Sequence, residues 1–150
     1  MSHKIIWLMG QPGHGKTVQA NLLVNYLRKQ NKPVFHIDGD DLRELTTNKD
    51  YSKNGRLENI KRAQIITKYL QNKGNNVVVS LMTPYKDIRE DFKNTTENVY
   101  EIYVNTNEIR GREDFHVNDF EIPDTNYLNL DTTNKDPEDS LDEILEYAGI

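Results

Sequence analysis

Short apolar runs alternate along this chain with stretches whose apolar residues recur every three or four positions. The runs Ile5 to Met9, Val34 to Ile37, Val77 to Leu81, Tyr100 to Val104 and Tyr127 to Leu130 have the length and composition of buried strands. Between them lie helical patterns. Thr17 to Gln30 places Ala20, Leu23 and Leu27 on one face, and Asn59 to Lys73 is followed by Gly74, a residue suited to ending a helix. A shorter helix is expected over Asp87 to Lys93, and another begins near Asp41. The last runs from Pro137 to Ala148, with Asp136 as N-cap, Pro137 at the first position, and Leu141, Ile144, Leu145 and Ala148 facing inward. Strands separated by helices predict an α/β fold: a three-layer α/β/α domain with a five-stranded parallel sheet covered on both faces. Its binding crevice lies at the carboxyl ends of the strands.

Composition narrows the setting. The 150 residues suit one domain spanning 1–150, with no internal repeat or low-complexity linker to divide it. A net charge of −5 argues against broad electrostatic binding to nucleic acid. Four histidines and no cysteine leave no zinc-type cluster, disulfide or thiol nucleophile. No apolar stretch approaches the ~20 residues of a membrane span. The N-terminal MSHK leads straight into the first strand without a signal-peptide pattern, so a soluble cytoplasmic protein is the expectation.

Directly after the first strand stands GQPGHGKT, Gly10 to Thr17, which fits the phosphate-loop pattern G-x-x-x-x-G-K-[ST]. Its glycines (Gly10, Gly13, Gly15) let the backbone turn so that N–H groups, including that of His14, converge on phosphate oxygens. Lys16 adds a mobile positive charge for the outer phosphates, and the Thr17 hydroxyl is suited to ligating Mg²⁺. Strand, loop and helix in that order are the setting this motif requires. ATP and Mg²⁺ are the implied ligands, and the fold narrows to the P-loop kinase type.

Residues just after the other strands are the next most informative. HIDGDDLREL places Asp38 and Asp40 where the second strand ends. One carboxylate there can hold Mg²⁺ and another can take a proton from an attacking hydroxyl, although either can also cap the helix that follows. Arg43 sits on that helix's first turn. In YSKNGRLENIKRA, Arg56, Asn59 and Arg62 are spaced to lie along one helical face near its start, which suits a bound anion as well as it suits a solvated charged face.

In order along the chain, GQPGHGKT, DGDDLR, GRLENIKRA and VVVSLMTPYKDIR resemble the motifs of adenylylsulfate kinases. The likeness spans roughly Ile5 to Arg89 and resumes at EIYVNT and FEIP. It implies transfer of the γ-phosphoryl of ATP to the 3′-hydroxyl of adenosine 5′-phosphosulfate. It further implies Asp38 as base and magnesium partner with Thr17, and Lys16, Asp38 and Asp40 as the catalytic group. Asp40, Arg43, Arg56 and Asn59 would grip the acceptor nucleotide. Tyr51 stands where the family has a base-stacking phenylalanine, and Thr83, Pro84 and Tyr85 stand for its Ser-Pro-Tyr.

The chain departs from the family at two places. Gly55 replaces the aspartate of D-R-x-E-N. The lid, about residues 107–126, is reduced: the Lys-Gly-Leu-Tyr segment is gone, Arg110 and Arg112 remain as lid cations toward ATP, and Phe115, Phe120, Glu121 and Pro123 stand for the family's later lid residues. Readings left open are a kinase for another nucleotide such as cytidine diphosphoramidate, a nucleoside or polynucleotide kinase, and an ATP-binding regulatory module. The expected partner is a small nucleotide, with no membrane and no nucleic acid. A homodimer is an open expectation for the assembly.

Overall fold

The structure, a computed structural model, describes residues 3–150; Met1 and Ser2, where the N-terminal reading begins, lie outside the described residues. In chain order the elements are β1 (Ile5–Met9), α1 (Lys16–Lys29), β2 (Val34–Asp38), α2 (Gly39–Thr46), α3 (Lys53–Asn72), β3 (Asn76–Ser80), α4 (Lys86–Thr95), β4 (Val99–Asn105), β5 (Tyr127–Asp131) and α5 (Pro137–Ala148), with a short 3₁₀ turn at Glu113–Phe115. The strands form one five-stranded sheet in the order β2-β3-β1-β4-β5, and every pairing is parallel. This is the three-layer architecture expected from the alternation.

Strand β1 shows why both faces must be covered. Ile6 and Leu8 pack with Leu23, Leu27, Leu141 and Ile144 of α1 and α5. Ile5, Trp7 and Met9 point the other way, against Ile60, Ala63 and Phe92 of α3 and α4. A strand alternates its side chains between faces, so a continuous apolar run is what a central parallel strand needs. Edge strands β2 and β5 are only partly buried.

Most element boundaries shift by a residue or two from the sequence expectation, and the start of α3 shifts furthest. Helix α3 begins at Lys53 rather than Asn59, with the Ser52 side chain accepting from Gly55 N at the N-cap. Its first turn is polar because Lys53 and Asn54 are exposed and Arg56 lines a cavity, so hydrophobic periodicity is silent there. Helix α2 begins at Gly39, two residues earlier than expected. Asp38 holds its N-cap position but makes no side-chain cap hydrogen bond. Its carboxylate is engaged elsewhere. At the other ends the local signals hold: Gly74 follows α3 at φ 89, and Asp136 caps α5 by accepting from Glu138 N at 2.9 Å.

Candidate active site

Because all strands run parallel, the loops after β1, β2 and β3 open on the same end of the sheet, and the chemistry-bearing residues collect there. Together they surround a cavity of about 640 Å³. Gly13, Gly15, Lys16 and Thr17 of the phosphate loop line it together with Asp38, Asp40, Arg43, Arg56 and Asn59. Tyr51 and Phe115 stand at the rim, 62% and 66% exposed, and Arg112 also lines the cavity.

The phosphate loop turns into α1 through Gly15, whose φ of 99 is left-handed and would strain any other residue. Lys16 Nζ donates to Gly10 O at 2.9 Å and Gln11 O at 3.0 Å, which ties the ammonium across the loop. Removal from water brings the Lys16 pKa down to about 8; nearby Asp40 and Asp38 work against that shift, and Arg112 adds to it. An ammonium held so close to losing its proton gains strongly from a polyanion. Thr17 Oγ1 lies 3.4 Å from Asp38 Oδ1. These are hard oxygen donors, suited to Mg²⁺ that draws its remaining ligands from water and phosphate. Among the described residues no three or more His, Cys, Asp or Glu are grouped so that they could hold a metal ion.

Asn59 is 2% exposed. Its Nδ2 donates to Gly39 O at 3.4 Å, while Asn59 Oδ1 and Arg56 Nε are buried without a hydrogen-bond partner. Unpaired buried polar atoms are costly, and these two belong to residues that line the cavity. Arg62, the third residue of that spacing, turns away and pairs with Glu58. Arg43 is more committed than expected. Its Nη1 donates to Asn48 O, Asn48 Oδ1 and Asp50 O at 3.0–3.2 Å, and its guanidinium lies 4.2 Å from the Tyr51 ring centre. Arginine and tyrosine thus form one stacked unit at the rim. The loop they organise also explains Gly55: a Cβ there would collide with Asp50 O and the Asp50 side chain.

The remaining expected residues lie behind or beside the cavity wall. Gly10 is buried at the end of β1. Thr83 is buried, its hydroxyl accepting from Trp7 Nε1 and donating to Leu81 O, both at 2.8 Å. Pro84 O accepts from Glu121 N at 2.8 Å. Tyr85 is buried with an unpartnered hydroxyl, and Lys53 Nζ stands 5.1 Å from its ring centre. Arg110 is held by Glu108 and by Thr132 O at 3.1 Å. His14 is 8% exposed. Burial first, then the charges of His116, Lys16 and Arg110, push its pKa down to about 4, so it is neutral near pH 7.

The segment expected as a reduced lid is tied to the phosphate loop. Gln11 of the phosphate loop pairs with the Val117 backbone through two hydrogen bonds of 2.8 Å, donating from Nε2 and accepting at Oε1. His116 sits 3.0 Å from Pro12 O and meets the His14 ring edge-on at 4.8 Å. Further along, Phe120 stacks on Tyr103, and Glu121 Oε1 accepts from Lys86 N at 2.9 Å. Gln11, His116 and Val117 carry no motif, and their pairing spans more than a hundred residues, so no local signal could have found them.

The model of the adenylylsulphate kinase family matches residues 2–115 of this chain. An adenylyl-sulfate kinase of Gloeothece citriformis is 38% identical over 101 residues, which cover 67% of this chain and 57% of that protein. A cytidine diphosphoramidate kinase of Campylobacter jejuni is 32% identical over 100 residues, covering 67% of this chain and 59% of that protein. The chain thus spans little more than half the length of these curated relatives. The Mycobacterium tuberculosis APS kinase solved in complex with AMPPNP and APS superposes with a TM-score of 0.84 over 99% of both chains at 18% identity, a likeness of fold.

Proposed function

This chain belongs to the adenylylsulphate kinase family, and from that premise we propose that it is an ATP-dependent kinase acting on a small anionic nucleotide. The leading acceptor is the 3′-hydroxyl of adenosine 5′-phosphosulfate. The observation that carries this reading is the cavity of about 640 Å³, a size typical of small-molecule sites. Phosphate-loop residues and the two residues with unpartnered polar atoms, Arg56 and Asn59, line this one cavity.

The residues divide the work by position. Lys16 and the loop N–H groups hold the outer phosphates and stabilise the charge that grows on them during transfer. Thr17 and Asp38 would hold Mg²⁺, which when bound would neutralise phosphate charge. Arg56 and Asn59 hold the acceptor's anionic linkage, and Tyr51 and Phe115 offer faces on which its base can stack. The acceptor hydroxyl oxygen bonds to the γ-phosphorus as the bond to the ADP oxygen breaks, and Asp38 takes the hydroxyl proton. The docked lid, with Arg112 beside Gly13, shields the phosphates from water.

A second reading keeps the chemistry and changes the acceptor to cytidine diphosphoramidate. It is favoured by the Campylobacter jejuni relative, which aligns over the same share of this chain as the adenylyl-sulfate kinase does. Stacking on Tyr51 and Phe115 tolerates either base. The deciding experiment incubates the protein with ATP and adenosine 5′-phosphosulfate, cytidine diphosphoramidate or uncharged nucleosides, then reads product mass and phosphate position. Transfer to an anionic nucleotide is expected. Equal use of uncharged nucleosides, or transfer to none of these acceptors, overturns the reading.

A further inference from the structure

Strands β2 and β3 pair so that Asp38 stands opposite Ser80. His36 lies two residues before Asp38 and so shares its face of the sheet. Ser80 is 2% exposed. Its hydroxyl donates to Asp38 Oδ1 at 2.8 Å, and its Oγ also lies 2.7 Å from His36 Nε2. These distances determine where the protons are. A carboxylate only accepts and a serine has one hydroxyl proton, so with that proton on Asp38 the serine accepts from His36. The chain runs imidazole N–H to hydroxyl to carboxylate, and each donor polarises the next. On the opposite side Thr17 Oγ1 reaches the same Oδ1 at 3.4 Å. Among the described residues Asp38 Oδ2 has no hydrogen-bond partner.

We propose that Ser80 and His36 are positioning residues for Asp38. They clamp Oδ1 against β3 and leave Oδ2 turned to the cavity, where the acceptor hydroxyl gives up its proton. This rests on Asp38 being the base of the kinase reaction proposed above. A carboxylate fixed in this way keeps its free oxygen within the narrow range that proton transfer needs.

The test compares Ser80→Ala, Ser80→Thr, His36→Leu and His36→Gln with the wild type, each verified as folded by thermal melting. Ser80→Ala and His36→Leu are expected to lower kcat about 10-fold, the size typical of partners that orient a reacting group, with acceptor KM and ATP affinity within two-fold. Ser80→Thr and His36→Gln, which keep the hydroxyl and the N–H, recover most of the rate. In an Asp38→Asn background Ser80→Ala causes no further loss, because the two residues act as one unit. Wild-type kcat in Ser80→Ala, a loss shared equally with ATP affinity, or a full loss persisting beside Asp38→Asn overturns the proposal. A second measurement does not depend on activity: nitrogen-15 NMR of the wild type should show the proton of His36 on Nε2, and a proton on Nδ1 alone overturns the clamp. If the wild type phosphorylates no nucleotide, the kinase reading falls by itself, and the tautomer still decides whether the clamp exists.

Discussion

Two loops leave the sheet side by side, one after β1 and one after β3, and they use polar groups in opposite ways. After β3, Thr83 is bonded to Trp7 and Leu81, its carbonyl accepts from Arg89 Nη1 at 2.6 Å, and Arg89 Nη2 reaches Glu121 O at 2.6 Å. Arg89 is itself buried 3.6 Å from Glu101, which Lys93 meets at 3.2 Å. After β1, Lys16 touches only carbonyls of its own loop and its pKa has fallen to about 8. Both loops hold a cation. The Arg89 guanidinium is buried and meets only groups of the fold, two carbonyls and the Glu101 carboxylate, although its Nε makes no hydrogen bond. The half-buried Lys16 ammonium also bonds to two carbonyls but opens on the cavity, where a ligand can reach it. A cation enclosed by the fold marks a scaffold, and one that opens on a cavity marks a candidate binding site.

If that distinction is right, substitutions in the two loops should damage different properties. Replacing Arg89 with Leu leaves Glu101 buried with one cation fewer and should cost about 3 kcal/mol of stability, near the low end for broken buried pairs because Lys93 remains. Chemical denaturation would measure this, and a variant as stable as the wild type would contradict the scaffold role. Lys16→Ala should do the reverse. Turnover falls on the order of 10²–10³-fold, as for other lost electrostatic groups, while the melting temperature stays close to that of the wild type. Near-normal turnover in the folded variant would remove the phosphate-loop assignment.

Arg56→Ala sharpens the contrast within the cavity by separating acceptor contacts from phosphate contacts. Losing a charge-assisted contact should raise the acceptor KM roughly 10- to 150-fold, equivalent to about 1.5–3 kcal/mol, with ATP affinity changed no more than a few-fold. An equal loss of ATP affinity would place Arg56 on the phosphate side. The smallest effect is one of pH. Lys16 is depressed from 10.5 to about 8, so between these values the unfolded chain binds the extra proton. Stability of the ligand-free protein therefore rises with pH across that window. A bound polyanion favours the charged lysine, so ATP affinity falls as pH rises through about 8, by at most about tenfold per pH unit for one proton. Calorimetry across pH 7 to 10 on wild type and Lys16→Met would read this, and an identical profile in both would assign the effect to another group.

Much of this was legible along the chain because the signals are local. The phosphate loop needs its glycines, lysine and threonine within eight consecutive positions, and the folded loop places them as that spacing implies. Strands β1 and β3 were readable because central strands are apolar on both faces. The start of α3 was not, since Lys53 and Asn54 are exposed and Arg56 lines the cavity, so this turn lacks the periodicity that core-facing helices show. A local cue was present in Ser52, a good N-cap residue, and the structure uses it. The pairing of the segment expected as a lid with Gln11 lay beyond any pattern.

The order of the elements and the phosphate loop follow from short-range chemistry, in which backbone freedom, periodicity and capping act within a few residues. What each polar side chain does with its hydrogen bonds follows from pairing across the fold. Asp38 can cap a helix, hold a metal or receive a proton, and the choice depends on the β2–β3 register that brings Ser80 to its carboxylate. Gly55 reads as a lost aspartate until Asp50 is found in the space its side chain would fill. A hydrogen bond needs two groups within about 3 Å, and for groups far apart in the chain that distance is set by how the strands align and the layers pack.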